Sequence, residues 1–128
     1  MDIGHVSDVF EKSLERDGVL FAYIHGSCAP GEETVLSDLD IAVFTEDNLG
    51  LKQRARLSRN LSRELEVEAD ISLLNNASTA FRHQVLKKGK LIYSRDDITR
   101  RRFEEEVYRK YLDIKPFMER FNEVRRSA

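Results

Sequence analysis

An α/β (α+β) domain, a small mixed sheet with helices packed on it, is the fold class that this chain predicts. Two observations carry the prediction. Short runs of branched and aromatic residues alternate with longer stretches whose apolar residues recur at helical spacing. Connections between them are short, and each segment has an apolar face to bury. The 128 residues are 41% hydrophobic and 34% charged, which suits one domain with a modest core and a heavily charged surface.

Taken in order, Ile3, Val6, Val9, Phe10 and Leu14 fall at helical intervals, and Asp17-Gly18 punctuates the end of that segment. "VLFAYI" (19–24) predicts a buried strand and "LDIAVF" (39–44) a second. From Asn48 to about Glu66, Leu51, Ala55, Leu57, Leu61 and Leu65 recur as in a helix. In "EADISLL" (68–74), Ala69, Ile71 and Leu73 alternate with Asp70 and Ser72, which predicts a third strand. Ser78 or Thr79 caps the helix "AFRHQVLKK", Gly89 stops it, and "KLIYS" (90–94) predicts a fourth strand. A long amphipathic helix then covers about 97–126, with Phe103, Val107, Tyr111 and Leu112 among its apolar positions and a kink or restart expected at Pro116. The predicted order is αββαβαβα within a single domain spanning 1–128.

The chemistry concentrates in "YIHGSCAPGEETVLSDLDIAVF" (23–44). Asp38 and Asp40 stand two apart where a strand begins, so both point to one face with Cα atoms roughly 6.5–7 Å apart. If the third strand lies beside the second, Asp70 joins them. Carboxylates so placed repel one another, and a divalent cation resolves the conflict. Oxygen ligands without His or Cys favour Mg²⁺ or Mn²⁺ over zinc. Gly26 and Ser27 come directly after the first strand. There a glycine lets the backbone approach a ligand, while the Ser27 hydroxyl and nearby N–H groups can donate to phosphate oxygens. A donor loop facing a metal-binding acidic pair suits a nucleoside triphosphate. Each piece alone has a plainer meaning: D-x-D is common at turns and strand ends, Gly-Ser is a common turn, and a lone Asp70 fits a half-exposed strand. The combination points to phosphate chemistry.

"GSCAPGEETVLSDLDIAV" resembles the signature of the minimal nucleotidyltransferase (MNT) family within the DNA polymerase β-like superfamily. Gly26, Ser27, Ala29, Gly31, Ser37, Asp38 and Asp40 match it at the family's spacing, and "EADISLLNN" resembles the strand carrying the third carboxylate, at Asp70. "LKKGKLIYS" and the helix with "RKYLDIKPFMERF" are similar to the C-terminal part of small MNT proteins paired with HEPN partners. The resemblance implies a polymerase β-like fold that uses Mg²⁺, two ions in the full site, and ATP, and transfers a nucleotidyl group to a hydroxyl. By the same resemblance Asp38, Asp40 and Asp70 are the metal-binding and catalytic carboxylates. Gly26, Ser27 and Ser37 are the nucleotide-binding residues. Small members act as antitoxins that adenylylate a tyrosine of a cognate HEPN ribonuclease toxin, and the absence of an acceptor-binding second domain favours a protein acceptor over a small molecule. One departure stands out. The family's arginine in Ala-Arg-Gly is Pro30 here, a rigid turn in place of a positive charge, for which Lys52 or Arg54 could substitute. Pro30 keeps open a second reading, a binding antitoxin that occludes its partner with little turnover.

Other features exclude more than they suggest. A net charge of −2 gives no global positive field for nucleic acid. A single cysteine, Cys28, cannot form an internal disulfide and has no identifiable base for nucleophilic work, so a tolerated small side chain is expected. No apolar run approaches the roughly 20 residues of a membrane span, and the acidic N-terminal stretch is unlike a signal peptide; a cytoplasmic protein is expected. His5, His25 and His83 show no metal spacing and are expected at the surface or at strand ends. "ITRRRFEEEVYRKY" is expected to be a solvated helical face, the alternatives being a surface that docks an acidic partner or steers ATP, with Tyr108 and Tyr111 as packing residues.

Overall fold

The computed structural model describes residues 18–25 and 39–127 together with Asp8 and Glu11, with side chains up to Glu123. Asp8 and Glu11 are helical and exposed, and the rest of the helix expected over Ile3–Leu14 lies outside the described residues. After it come β1 (Val19–His25), β2 (Leu39–Thr45), α1 (Leu51–Leu65), β3 (Ala69–Leu73), α2 (Thr79–Lys88), β4 (Lys90–Ser94) and α3 (Asp97–Ser127). Their order and type are those predicted.

The four strands form one mixed sheet in the order β3-β2-β1-β4. β1 pairs antiparallel with β2 and with β4, whereas β2 and β3 run parallel. Every residue from Val19 to Tyr23 is buried, because helices cover both faces. On one face Leu57, Leu61 and Leu65 of α1 meet Val19, Ala22, Leu39, Ile41, Val43 and Ile71. On the other, Val85 of α2 and Phe103 and Val107 of α3 meet Phe21, Tyr23, Ala42 and Leu74. Val19 and Ala22 share a face despite their odd spacing. A bulge between Val19 and Phe21 takes up the extra residue.

Local chemistry sets the element ends. Gly18 adopts φ 71°, a left-handed conformation that favours glycine, and its carbonyl accepts from Glu46 N–H at 2.9 Å. Gln53 Oε1 accepts the Gly50 N–H at 2.9 Å at the start of α1. Of the two caps considered for α2 it is Ser78 that acts, its Oγ accepting from Phe81 N–H at 3.1 Å. Gly89 closes α2 by donating its N–H to Val85 C=O at 2.7 Å. Asp96 opens α3 by accepting from Thr99 N–H at 3.0 Å; that bond and one from the Thr99 hydroxyl hold its carboxyl below the usual range.

Three expectations need correcting. Leu51 and Ala55 are exposed, so the buried stripe of α1 is narrower than its apolar residues suggested and begins at Leu57. Leu112 is also exposed; it lies off the line of Phe103 and Val107 around α3. Of the kink or restart expected at Pro116, the restart does not occur, since α3 runs through it as one helix. A single proline removes one i→i−4 bond, and the flanking turns of a 31-residue helix retain theirs.

Candidate active site

The parallel pairing of β2 and β3 decides the site. Its register makes Asp40 and Asp70 direct Cα partners, and the antiparallel pairing of β1 with β2 makes His25 the partner of Asp40 on the other side. His25, Asp40 and Asp70 therefore form one row across three strands, at the end where β1 finishes and β2 and β3 begin. Strand alternation puts Asp40 on the face of Ala42, and Asp70 across from it on that same face. Asp40 is half-buried and Asp70 exposed. The segment carrying Gly26, Ser27, Ser37 and Asp38 leaves from His25 and returns at Leu39, so it is tethered at this row. Those four residues, with Cys28, Pro30 and His5, lie outside the described residues.

Side chains far from the carboxylates hold this register. At the other end of β2, Asn75 Oδ1 accepts from Thr45 N–H at 3.1 Å, and its Nδ2 donates to Thr45 C=O at 2.8 Å. Arg82 then fixes the turn after β3, donating from Nε to Leu74 C=O at 2.8 Å and from its terminal nitrogen to Asn75 C=O at 2.6 Å. The outer edge of β3, which has no strand beside it among the described residues, is satisfied by α1. Ser62 Oγ accepts from Ala69 N–H at 2.9 Å, Ser58 donates to Ala69 C=O, and Arg54 Nε donates to Ile71 C=O at 2.8 Å. Arg54 thus already has a backbone task, and Lys52 lies exposed in the first turn of α1. Arg59 and Arg63 line an open groove of about 610 Å³ whose lining also includes Asp70.

His25 is half-buried at the end of its strand, as expected, but its neighbours are more telling than its class. Its ring packs edge-on against Phe81 at 5.5 Å, and its Nε2 is buried without a hydrogen-bond partner among the described residues. Burial lowers its pKa, and the Asp40 charge only partly offsets that effect. The row is thus two carboxylates beside an imidazole biased toward its neutral form.

The donor set fits a hard cation. Among the described residues neither Asp40 nor Asp70 has an ion-pair or hydrogen-bond partner, so two adjacent oxygen ligands stand there with no cation of those residues paired to them. Among the described residues no three His, Cys, Asp or Glu side chains gather as a metal site, and Asp38, the third expected ligand, is outside them. Sequence reasoning missed His25, Arg59, Arg63 and Asn75. For His25 the signal was there: the residue just before Gly26-Ser27 must face the strand on the far side of the loop. For Asn75 no local pattern existed, because it acts across a tertiary contact; Arg59 and Arg63 are set apart only by the groove they line.

Comparison with known proteins agrees with this geometry. The family model described as "Polymerase beta, Nucleotidyltransferase" matches residues 8–98. Protein adenylyltransferase MntA of Shewanella oneidensis is 35% identical over 71 residues, which are 56% of this chain and 51% of that protein, so the match spans about half the length of this relative. The fold is similar to a chain in the structure of a tri-AMPylated Shewanella oneidensis HEPN toxin in complex with MNT antitoxin, with a TM-score of 0.76 at 22% identity, over 95% of this chain and 97% of that one. A structure of a minimal nucleotidyltransferase is 32% identical and covers 70% of this chain and 95% of its own, with a TM-score of 0.57. With the family model spanning both strands of the acidic pair and the helix between them, the chain belongs to the polymerase β nucleotidyltransferase family.

Proposed function

We propose that this chain is a Mg²⁺-dependent protein adenylyltransferase that transfers AMP from ATP to a hydroxyl, that of a tyrosine, on a cognate HEPN toxin, and so acts as its antitoxin. The observation that carries the reading is the in-register pair Asp40–Asp70 at the end of the sheet from which the Gly26-Ser27 segment departs. The adenylyltransferase relative, and the AMPylated toxin bound in the similar fold, support the choice of donor and acceptor.

In this reading Asp38, Asp40 and Asp70 hold the metal, with two ions in the full site, and Gly26, Ser27 and Ser37 hold the triphosphate. A divalent cation bound there neutralises phosphate charge and orients the reacting groups. The acceptor oxygen forms a bond to the α-phosphorus, the bond from that phosphorus to the β-phosphate bridging oxygen breaks, and pyrophosphate leaves. In the same reading the hydroxyl proton passes to Asp70, the exposed member of the pair. Among the described residues no helix is long and apolar enough to cross a membrane. A cytoplasmic site of action, where ATP and Mg²⁺ are available, completes the reading.

Pro30, where the family signature has arginine, favours one alternative: a binding antitoxin that silences its partner by occlusion. Label transfer separates the two. Purified protein is incubated with Mg²⁺ and α-phosphate-labelled ATP, with and without a HEPN protein encoded beside it, next to the Asp38→Asn/Asp40→Asn double variant. Label on the HEPN protein that disappears with the double variant is the expected result. A stable, inactive complex without label would replace transfer by occlusion.

A further inference from the structure

The apolar stripe that seats α3 on the sheet does not stop where the body of the protein stops. Val107, Tyr111, Ile114, Met118 and Phe121 succeed one another at alternating intervals of four and three residues, the repeat of a helix that packs along another helix. Phe103 and Val107 are buried in the core, and Tyr111 stacks flat on His83 of α2 at 3.4 Å. Beyond Tyr111 the stripe continues into solvent. Ile114 and Met118 are only half-covered, while Phe117, which flanks the stripe, is 71% exposed and Phe121 62%. Pro116 lies on the opposite side of the helix, so its ring leaves the stripe intact. A run of large apolar side chains this exposed marks a surface that another molecule covers.

The borders of the stripe select the occupant. Lys110 and Lys115 stand on its two sides, half exposed, each with one glutamate a turn away, Glu106 at 2.7 Å and Glu119 at 3.9 Å. In a parallel pairing with a second copy, Lys110 would face Lys115 of the other helix. In an antiparallel pairing each lysine border would face its own kind. Either places like charges together, so the stripe is matched by a helix whose apolar seam is bordered by carboxylates and not by itself. The distal helix also stands apart from the catalytic region. The family match ends at residue 98, at the start of α3, and the minimal nucleotidyltransferase covers 70% of the chain, whereas the antitoxin fold seen with its toxin matches 95%.

We infer that the distal half of α3, from Ile114 to Phe121, is the docking surface for an acid-bordered apolar helix of the toxin that this chain modifies. The inference rests on the antitoxin reading above. It gives that reading a division of labour. A transferase acting on a protein must hold it through contacts away from the reacting atoms, which turns the chemistry into an intramolecular step.

Affinity for the HEPN protein encoded beside this chain, measured by calorimetry at two salt concentrations, tests the inference. The proteins compared are wild type, Phe117→Glu, Lys115→Glu and Lys115→Arg, each checked for helicity by circular dichroism and for mass by light scattering. Phe117 is exposed, so its replacement leaves the fold intact. The expected result is at least a ten-fold loss of affinity for Phe117→Glu. Lys115→Glu should also bind more weakly, with a smaller response to salt, and Lys115→Arg should bind as wild type. Two results would overturn the docking surface: wild-type affinity in both Glu variants, or a wild-type dimer that Phe117→Glu dissolves while binding of the HEPN protein is unchanged. The wild-type arm separates the two levels. If wild type neither binds nor labels the HEPN protein, the antitoxin reading falls and the surface with it. If wild type and Phe117→Glu bind and label it equally, only the surface falls.

Discussion

Replacing Asp40 by asparagine distinguishes a metal-holding carboxylate from a structural one. Asp40 and Asp70 are paired across parallel strands, which lie about 4.8 Å apart. Two like unit charges about 5 Å apart repel by roughly 0.8 kcal/mol in water-like surroundings and by about 3 kcal/mol at an effective dielectric near 20. Asp70 is exposed and Asp40 only half-buried, so the lower figure applies. Among the described residues no ion pair is lost, because His25, the cross-strand neighbour, is biased by burial toward its neutral form. Asp40→Asn should therefore stabilise the metal-free protein by about 1 kcal/mol, a rise of roughly 2–4 °C in Tm for a chain of this size. Mg²⁺ with ATP should do the reverse. A ligand at about 100 times its Kd adds about 2.7 kcal/mol to the wild type, and most of that gain should vanish in the variant. Thermal and urea unfolding in EDTA and in Mg²⁺–ATP read both effects. A loss of more than about 2 kcal/mol in EDTA would refute the reasoning and make Asp40 a structural hydrogen-bonding residue. A full Mg²⁺–ATP shift in the variant would refute it from the other side.

Gly89→Ala should cost more than about 2 kcal/mol in urea unfolding. A Cβ there would sit 2.4 Å from Val85 O and 2.8 Å from Ile24 O, both backbone atoms of packed elements that cannot step aside. A smaller cost would show that the junction of α2 and β1 yields more easily than its packing implies. The pH dependence has a definite sign. Burial, partly offset by Asp40, lowers the pKa of His25, and burial with Lys87 and Lys115 lowers that of His83. The unfolded chain then binds more protons than the folded one, so this stability is complete above about pH 6.5 and is lost as pH falls through the folded values. His83→Phe keeps a ring against Tyr111 and should reduce the difference between urea midpoints at pH 7.5 and pH 5; an unchanged difference would clear His83 of any part in it.

Much of this fold was readable along the chain because it depends on neighbours in sequence. Alternation in "EADISLL", the runs in β1 and β2, the Ser78 cap and the Gly89 stop are local effects, and each element formed where they indicated. The faces of Asp40 and Asp70 were legible too, since each alternates with apolar neighbours along its own strand. Leu51, Ala55 and Leu112 misled, because apolar spacing shows which faces a helix could bury but not how far the neighbouring layer extends.

Convergence was another matter. Asp40 meets Asp70 only because β3 is parallel to β2 in one register, and a slip of a single residue would turn Asp70 to the other face. That register is held by Asn75 on Thr45, by Arg82 on the turn after β3 and by α1 side chains on its open edge, all between residues far apart in sequence. Periodicity carries no record of such contacts. The residues and their chemical types are therefore written in the chain, while their meeting at one end of the sheet, and the exposed stripe left beyond Tyr111, depend on which surfaces the packed layers cover.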